Sequence, residues 1–247
     1  MQAALRRFTS APRLVIWSCL VLVVAVAAQS LLESNADLSW LAVCRALPLD
    51  ASWGSIFVVW AAMSLAMMLP TAFPMISAYL DIAEAAKAKS ADCVSPVILA
   101  FGFAVVWLGF SGLAATLQLF AARYGDAVQS PVLAVLLFIL AGLYQFSPLK
   151  HSCLSKCRRP MPYFMANWTT ELRSVFKMGL HQGALCLGCC WALMALGFAA
   201  GLMNLAWMAA LCLIMVLEKT LPEPKPVIYG LGIGLIAAGV VMIGLAA

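Results

Sequence analysis

The chain has 247 residues, of which 65% are hydrophobic and 10% are charged, and its mean hydropathy is +1.01. Soluble domains contain about half apolar and about a quarter charged residues, so this composition excludes an ordinary soluble domain and predicts an integral membrane protein. The net charge of +5 does not indicate nucleic-acid binding, because the Lys and Arg residues cluster between apolar segments, where they report membrane topology.

The apolar segments predict an all-α fold, a polytopic transmembrane helix bundle in a single domain covering residues 1–247. A helix needs about 20 apolar residues to cross a bilayer, and the chain offers seven such segments. The predicted spans are 14–32, 54–80, 96–122, 131–149, 179–201, 202–217 and 227–246. Residues 25–28 (Ala-Val-Ala-Ala) resemble a signal-peptidase site, so a cleaved signal peptide is the alternative to the first span.

The distribution of basic residues predicts the orientation of these spans. With seven spans the loops alternate between the two sides, and every Lys and Arg except Arg45 and Arg123 falls on the side of the N-terminus. The positive-inside rule makes that side cytoplasmic. In the basic segment 150–178, apolar residues recur at helical spacing, which predicts a short helix at 163–178 lying in the cytoplasmic interface.

Three cysteines occur within five positions of the fifth predicted span. At about 100° per residue, Cys186, Cys189 and Cys190 fall in one arc of the helix, which small residues share, whereas His181 lies on another face. The chain has nine cysteines, most of them in or beside apolar segments, and this favours reduced thiols over a secreted disulfide framework. The three thiols are metal ligands in one interpretation and small packing residues in the other.

Methionines offer further candidate sulfur ligands beside the three cysteines. In span two, Met63 and Met67 align with Pro70 and Pro74, and thioethers beside backbone carbonyls freed by proline suit a soft cation. Met194 lies at the edge of the cysteine arc in span five and is a third candidate thioether ligand. The alternative is that these methionines are apolar filler and that the prolines only kink the helix.

The sixth predicted span combines sulfur with charge. Met208, Cys212, Met215 and Lys219 share one face, and Lys219 follows Glu218 where the span meets the cytoplasm. These two charged residues are part of a functional face in one interpretation and an ordinary interfacial anchor pair in the other.

A second group of potential ligands follows the fourth predicted span. Cys153 and Cys157 are four residues apart, so on a helical turn both point the same way, and His151 lies just upstream. One His and two Cys supply three of the four ligands of a zinc site or a trigonal site for Cu(I). The alternative is a basic loop that contains two reduced thiols. In the predicted topology this group, the Cys186 cluster and the methionine faces all lie toward the cytoplasmic side.

Three stretches together resemble a known family. They are Met67-Met-Leu-Pro70 with Pro74-Met75, Tyr144-Gln-Phe-Ser-Pro-Leu-Lys150 running into Cys153 and Cys157, and Cys186-Leu-Gly-Cys-Cys-Trp-Ala-Leu-Met194. The chain resembles a bacterial family of uncharacterised integral membrane proteins described as predicted metal-binding. The resemblance implies a multi-pass protein of the bacterial inner membrane with a metal-related role, and it brings no catalytic residue.

The leading hypothesis is a protein that binds a soft metal, copper(I) with zinc as the alternative, for metal transport, delivery or metalloprotein assembly. Thiolates and thioethers select Cu(I), and the spans lack the carboxylates that harder cations prefer. The expected partners are the lipid bilayer, the metal ion and either a metallochaperone or a larger membrane complex, with no nucleic acid. Two alternatives stay open: a membrane thiol oxidoreductase using Cys186 and Cys189, and an accessory subunit whose Cys, Met and Gly faces only pack.

Overall fold

The computed structural model describes residues 52–87, 93–123, 131–199, 205–221 and 223–246, and every regular element within these ranges is an α-helix. The predicted first span, 14–32, lies outside the described residues. The helices are α1 (Trp53–Lys87), α2 (Pro96–Arg123), α3 (Pro131–Gln145), α4 (Pro148–Arg158), α5 (Met161–Ala166), α6 (Leu172–Ala199), α7 (Leu205–Thr220) and α8 (Lys225–Ala246).

Among the described residues, three helices are long and apolar enough to cross a membrane, or up to five if each of two bent pairs is one span. Three qualify alone: Pro96–Phe120, Leu172–Gly197 and Lys225–Gly244. Two bent pairs also qualify if each pair is taken as one span. Within α1 the bend is 57°, between Trp53–Leu69 and Pro74–Ala86, where two prolines interrupt the hydrogen-bond ladder. The pair formed by α3 and α4 is bent by 63°. The prediction of a helical fold is confirmed for the described residues, whereas the count of seven spans stays a prediction.

The segment after Gln145 differs from the prediction of a span at 131–149 followed by a polar connection. Helix α3 ends at Gln145, and α4 begins at Pro148, which has no amide to donate and disfavours a helical conformation at the residue before it. The Ser147 side chain accepts a hydrogen bond from the Lys150 amide at 3.1 Å and caps the new helix. As a result, Lys150 to Arg158 is helical and packs against α6.

Two other boundaries also differ from the sequence prediction. Helix α1 continues to Lys87, because the sequence from Asp81 to Lys87 is rich in alanine and other helix formers. The predicted helix 163–178 is two pieces, since α5 ends at Ala166 and the residues from Leu172 onward belong to α6. Between them, the Glu171 amide donates to the Thr169 hydroxyl and the Val175 amide donates to the Glu171 carbonyl, so a new helix starts here.

Glycines bring the central helices close together. A Cβ added to Gly102 in α2 would lie 3.1 Å from the Gly179 Cα in α6, so the two backbones touch at this point. Phe164 of α5 and Val175 of α6 are fully buried, and Phe164 packs edge-on against Tyr79 of α1. Helix α6 lies in the middle of the main core, with α2, α3, α4 and α7 packed against it.

Candidate metal centre

Helix α6 buries three thiols on one face. Cys186, Cys189 and Cys190 are each at most 2% exposed, as expected for residues spaced i, i+3 and i+4 on the face that packs inward. The thiols of Cys189 and Cys190 donate to the Cys186 carbonyl oxygen at 3.0 and 2.9 Å, the contact that small polar side chains commonly make to the preceding helical turn. The sequence prediction that these thiols share the packed face of the helix therefore agrees with the structure.

Helix α4 adds a fourth thiol to this face. Cys157 packs across the α4–α6 interface against the core that contains Cys186 and Cys189, where the charges of these thiols affect one another. The approach of α4 depends on Gly188, because a Cβ at that position would lie 2.8 Å from the Cys153 sulfur. The Tyr144 hydroxyl also donates to the Gly188 carbonyl and holds the end of α3 at the same point.

Helix α1 contributes a thioether. The Met68 Sδ atom lies 4.0 Å from the Cys190 Sγ atom, and Met68 is fully buried. The Thr71 hydroxyl, one turn further along α1, donates to the Met68 carbonyl at 2.9 Å. Both residues lie at the bend of α1, so the proline-rich part of that helix faces the thiols.

Helix α7 brings an ammonium group to the thiols. The Lys219 Nζ atom donates to the Cys186 Sγ atom at 3.1 Å and to the Thr71 hydroxyl at 2.9 Å. Its charge acts on Cys157, Cys189 and Cys190 as well as on Cys186. An ammonium at this distance compensates the negative charge of a thiolate, which is the form of cysteine that binds metals.

The end of α7 is held in place by two contacts to α4. Lys150 forms a buried salt bridge with Glu218 at 2.8 Å, with the two side chains 0% and 3% exposed, and it also donates to the Gln145 side chain. Arg158 donates to the Lys219 carbonyl at 3.2 Å and to the Leu221 carbonyl. These contacts fix the position from which Lys219 reaches the thiols. Glu218 and Lys219 are therefore not an ordinary pair of interfacial anchors.

The donor set is chemically suited to a soft monovalent metal. Four thiols and one thioether come together from α1, α4 and α6, and such donors prefer Cu(I). Among the described residues, no three His, Cys, Asp or Glu side chains are arranged as a ready-made metal site. In the structure, the thiols of Cys189 and Cys190 donate to the Cys186 carbonyl oxygen. To bind a metal, these two side chains have to rotate away from that oxygen.

The remaining predicted ligands are distributed more widely. Met67 and Met194 are buried in the same core as the thiols, whereas Met63 is half-buried and also packs in the second cluster, formed by α1 and α2 around Trp60. Of the predicted group on α4, Cys157 joins the α6 thiols and Cys153 packs on Gly188.

The two histidines lie away from the thiols. The ring of His151 contacts Tyr229 of α8, because His151 is on the face of α4 opposite to the two cysteines. His181 is exposed and stacks on Tyr163 with 4.5 Å between ring centroids, in agreement with its predicted separation from the thiols. Burial raises the pKa of the Tyr163 phenol, so this ring is neutral where it meets the imidazole.

Sequence reasoning missed Met68 and the role of Lys219 as a contact of Cys186. The predicted face of α1 contained Met63, Met67 and Thr71, but the buried face also carries Ser64 and Met68, rotated by about one residue. The sequence does indicate which face of α1 is buried, because Ser64 and Thr71 are small polar residues seven positions apart in an apolar helix. Polar side chains in such a helix point to the protein interior.

The fold and the site together define an all-helical protein with several helices apolar enough to cross a membrane and a buried group of soft sulfur donors. A family model described as PpoB2, copper chaperone, matches residues 57–242, well over half of the chain, and the chain belongs to this family. No curated protein and no solved structure matches it. The predicted metal-related family is thus confirmed, and the family description supports a copper-related function.

Proposed function

We propose that the protein is a membrane-embedded copper chaperone that binds Cu(I) as cargo at the sulfur site and delivers it to an acceptor protein. The observation that carries this proposal is the packing of Cys157 from α4 against the core that holds the three α6 thiols, beside the Met68 thioether from α1, which lies 4.0 Å from the Cys190 thiol. A site made from three helices can release its cargo when one helix moves, whereas ligands on a single helix cannot separate in this way.

The donor chemistry supports copper over zinc. Thiolates and thioethers are soft ligands that suit Cu(I), and the Met68 thioether beside Cys190 is a donor that zinc sites, built from Cys, His and carboxylates, do not use. The two histidines lie elsewhere, against Tyr229 and Tyr163. The family to which the chain belongs also carries the description copper chaperone.

The membrane location is a second part of the proposal. The composition, the three to five apolar helices and the distribution of basic residues support a multi-pass protein of the bacterial inner membrane with a cytoplasmic N-terminus. Washing membranes with alkaline carbonate tests this part directly. The protein should stay with the membrane pellet, and its release into the supernatant would contradict an integral location.

The copper site is tested by Cu(I) competition with bicinchoninate, using two variants of α4. Cys157→Ser should weaken Cu(I) binding by about tenfold or more, because it removes the thiol that α4 contributes to the site. His151→Ala should leave the affinity unchanged, since its ring contacts Tyr229 rather than the thiols. Equal losses in both variants would instead favour a separate His151–Cys153–Cys157 site on α4.

A further inference from the structure

Lys219 places a positive charge inside the proposed cargo site. Its ammonium group donates to the Cys186 thiol at 3.1 Å and to the Thr71 hydroxyl at 2.9 Å. In the part of the chain that the structure describes, no carboxylate pairs with Lys219. The neighbouring Glu218 carboxylate is engaged by Lys150 in a buried salt bridge. The net charge of this part of the site is therefore set by Lys219 and the thiols.

The position of Lys219 is not that of an anchor for lipid headgroups. A lysine near a membrane surface normally extends its chain so that the ammonium reaches water. Here the side chain is directed inward to Thr71 at the bend of α1 and to Cys186 in the middle of α6. The contacts of Arg158 with the Lys219 and Leu221 carbonyls hold the backbone that makes this direction possible.

A fixed positive charge affects monovalent and divalent cations differently. For the same number of thiolates, a divalent cation adds one more unit of positive charge than Cu(I), and this unit is repelled by the ammonium a few ångströms away. This repulsion comes only from the extra charge of the divalent ion, so it disfavours Zn(II) relative to Cu(I) for any fixed number of bound thiolates.

We infer that Lys219 is a specificity-determining residue, whose charge makes the sulfur site select monovalent Cu(I) over divalent Zn(II). This inference rests on the proposed function, because it requires Cu(I) to bind at the Cys157–Cys186–Cys189 site. Lys219 does not need to touch the metal for this role. It acts through its charge on the thiols that do.

The test compares Cu(I) and Zn(II) affinities of purified full-length variants in detergent, with bicinchoninate and 4-(2-pyridylazo)resorcinol as competing chelators. Lys219→Met removes the charge and should lower the ratio of Cu(I) to Zn(II) affinity by at least about tenfold. Lys219→Arg keeps the charge and should stay close to the wild-type ratio. Lys156→Met removes an exposed charge from α4 and should leave the ratio unchanged.

The outcomes separate this inference from the proposed function. A wild-type protein that binds no Cu(I) overturns the proposed function. A wild-type protein that binds Cu(I), with an unchanged ratio in folded Lys219→Met, overturns the role of Lys219 alone. Lys219→Gln replaces the Met variant if the latter does not fold. Independently of any variant, a wild-type protein that binds Zn(II) as tightly as Cu(I) also contradicts the inference.

Discussion

The buried salt bridge between Lys150 and Glu218 gives a quantitative test of how α4 and α7 are held together. At 2.8 Å, and with an effective dielectric constant of about 20, the attraction between the two charges is roughly 6 kcal/mol. Removing each ion from water costs several kcal/mol, so the intact pair contributes little compared with apolar residues of similar size. Removing only one partner is different, because the other charge then stays buried without compensation.

We expect Lys150→Met to lower the free energy of unfolding by about 3–5 kcal/mol, and the double variant Lys150→Met/Glu218→Leu to recover most of that loss. The measurement is equilibrium unfolding in mixed micelles with increasing SDS, followed by far-UV circular dichroism. Lys156→Met is the matched control, since this lysine is exposed on the same helix and its loss should change stability by less than about 0.5 kcal/mol.

Two results would refute this reasoning. One is a cost below about 1 kcal/mol for Lys150→Met, which would mean that Glu218 is not left buried and unpaired. The other is a double variant that is no more stable than the single one, because the coupling between contacting partners would then be absent.

Two further predictions concern Met68 and the contact between α2 and α6. Met68→Leu should weaken Cu(I) binding by about tenfold, because it removes a soft donor. Met165→Leu is the control, since Met165 is 68% exposed, and it should leave the affinity unchanged. Equal affinities of the two variants would exclude the Met68 thioether as a ligand. Gly179→Ala should destabilise the protein by about 1–3 kcal/mol, because its Cβ would overlap the Leu99 carbonyl. Gly230→Ala, which meets nothing within 4 Å, is the control, and equal melting temperatures would argue against close packing of α2 and α6.

The sequence was sufficient for the helical class and for the shared face of the three α6 thiols. Both follow from local properties, namely apolar segment length and the helical period, and Cys186, Cys189 and Cys190 are buried together as expected. The helix boundaries are harder to predict from the sequence, because Pro148 both prevents α3 from continuing and starts α4. The sequence predicts a polar connection at 150–158, whereas in the structure Lys150 pairs with Glu218 and Arg158 donates to backbone carbonyls at the end of α7.

Contacts between helices cannot be predicted from a single sequence. Nothing in the sequence near Lys219 indicates Cys186, which is 33 positions away, or Thr71, which is 148 positions away. The separation of Cys157 from His151 was in principle foreseeable, because residues six apart on a helix point in different directions. Their predicted grouping relied on proximity in the chain rather than on helix geometry.

Metal content tests the central claim most directly. The wild-type protein, the Cys186/Cys189/Cys190 triple Ser variant and Cys93→Ser would be purified in mild detergent, reconstituted anaerobically with Cu(I), desalted and analysed for bound metal. Cys93 is a suitable control because its thiol contacts the Ala83 carbonyl rather than the α6 thiols. We expect stoichiometric copper in the wild-type protein and in Cys93→Ser, and its loss in the triple variant. Wild-type protein that stays metal-free, or a triple variant that retains full copper, would contradict a copper site at these thiols.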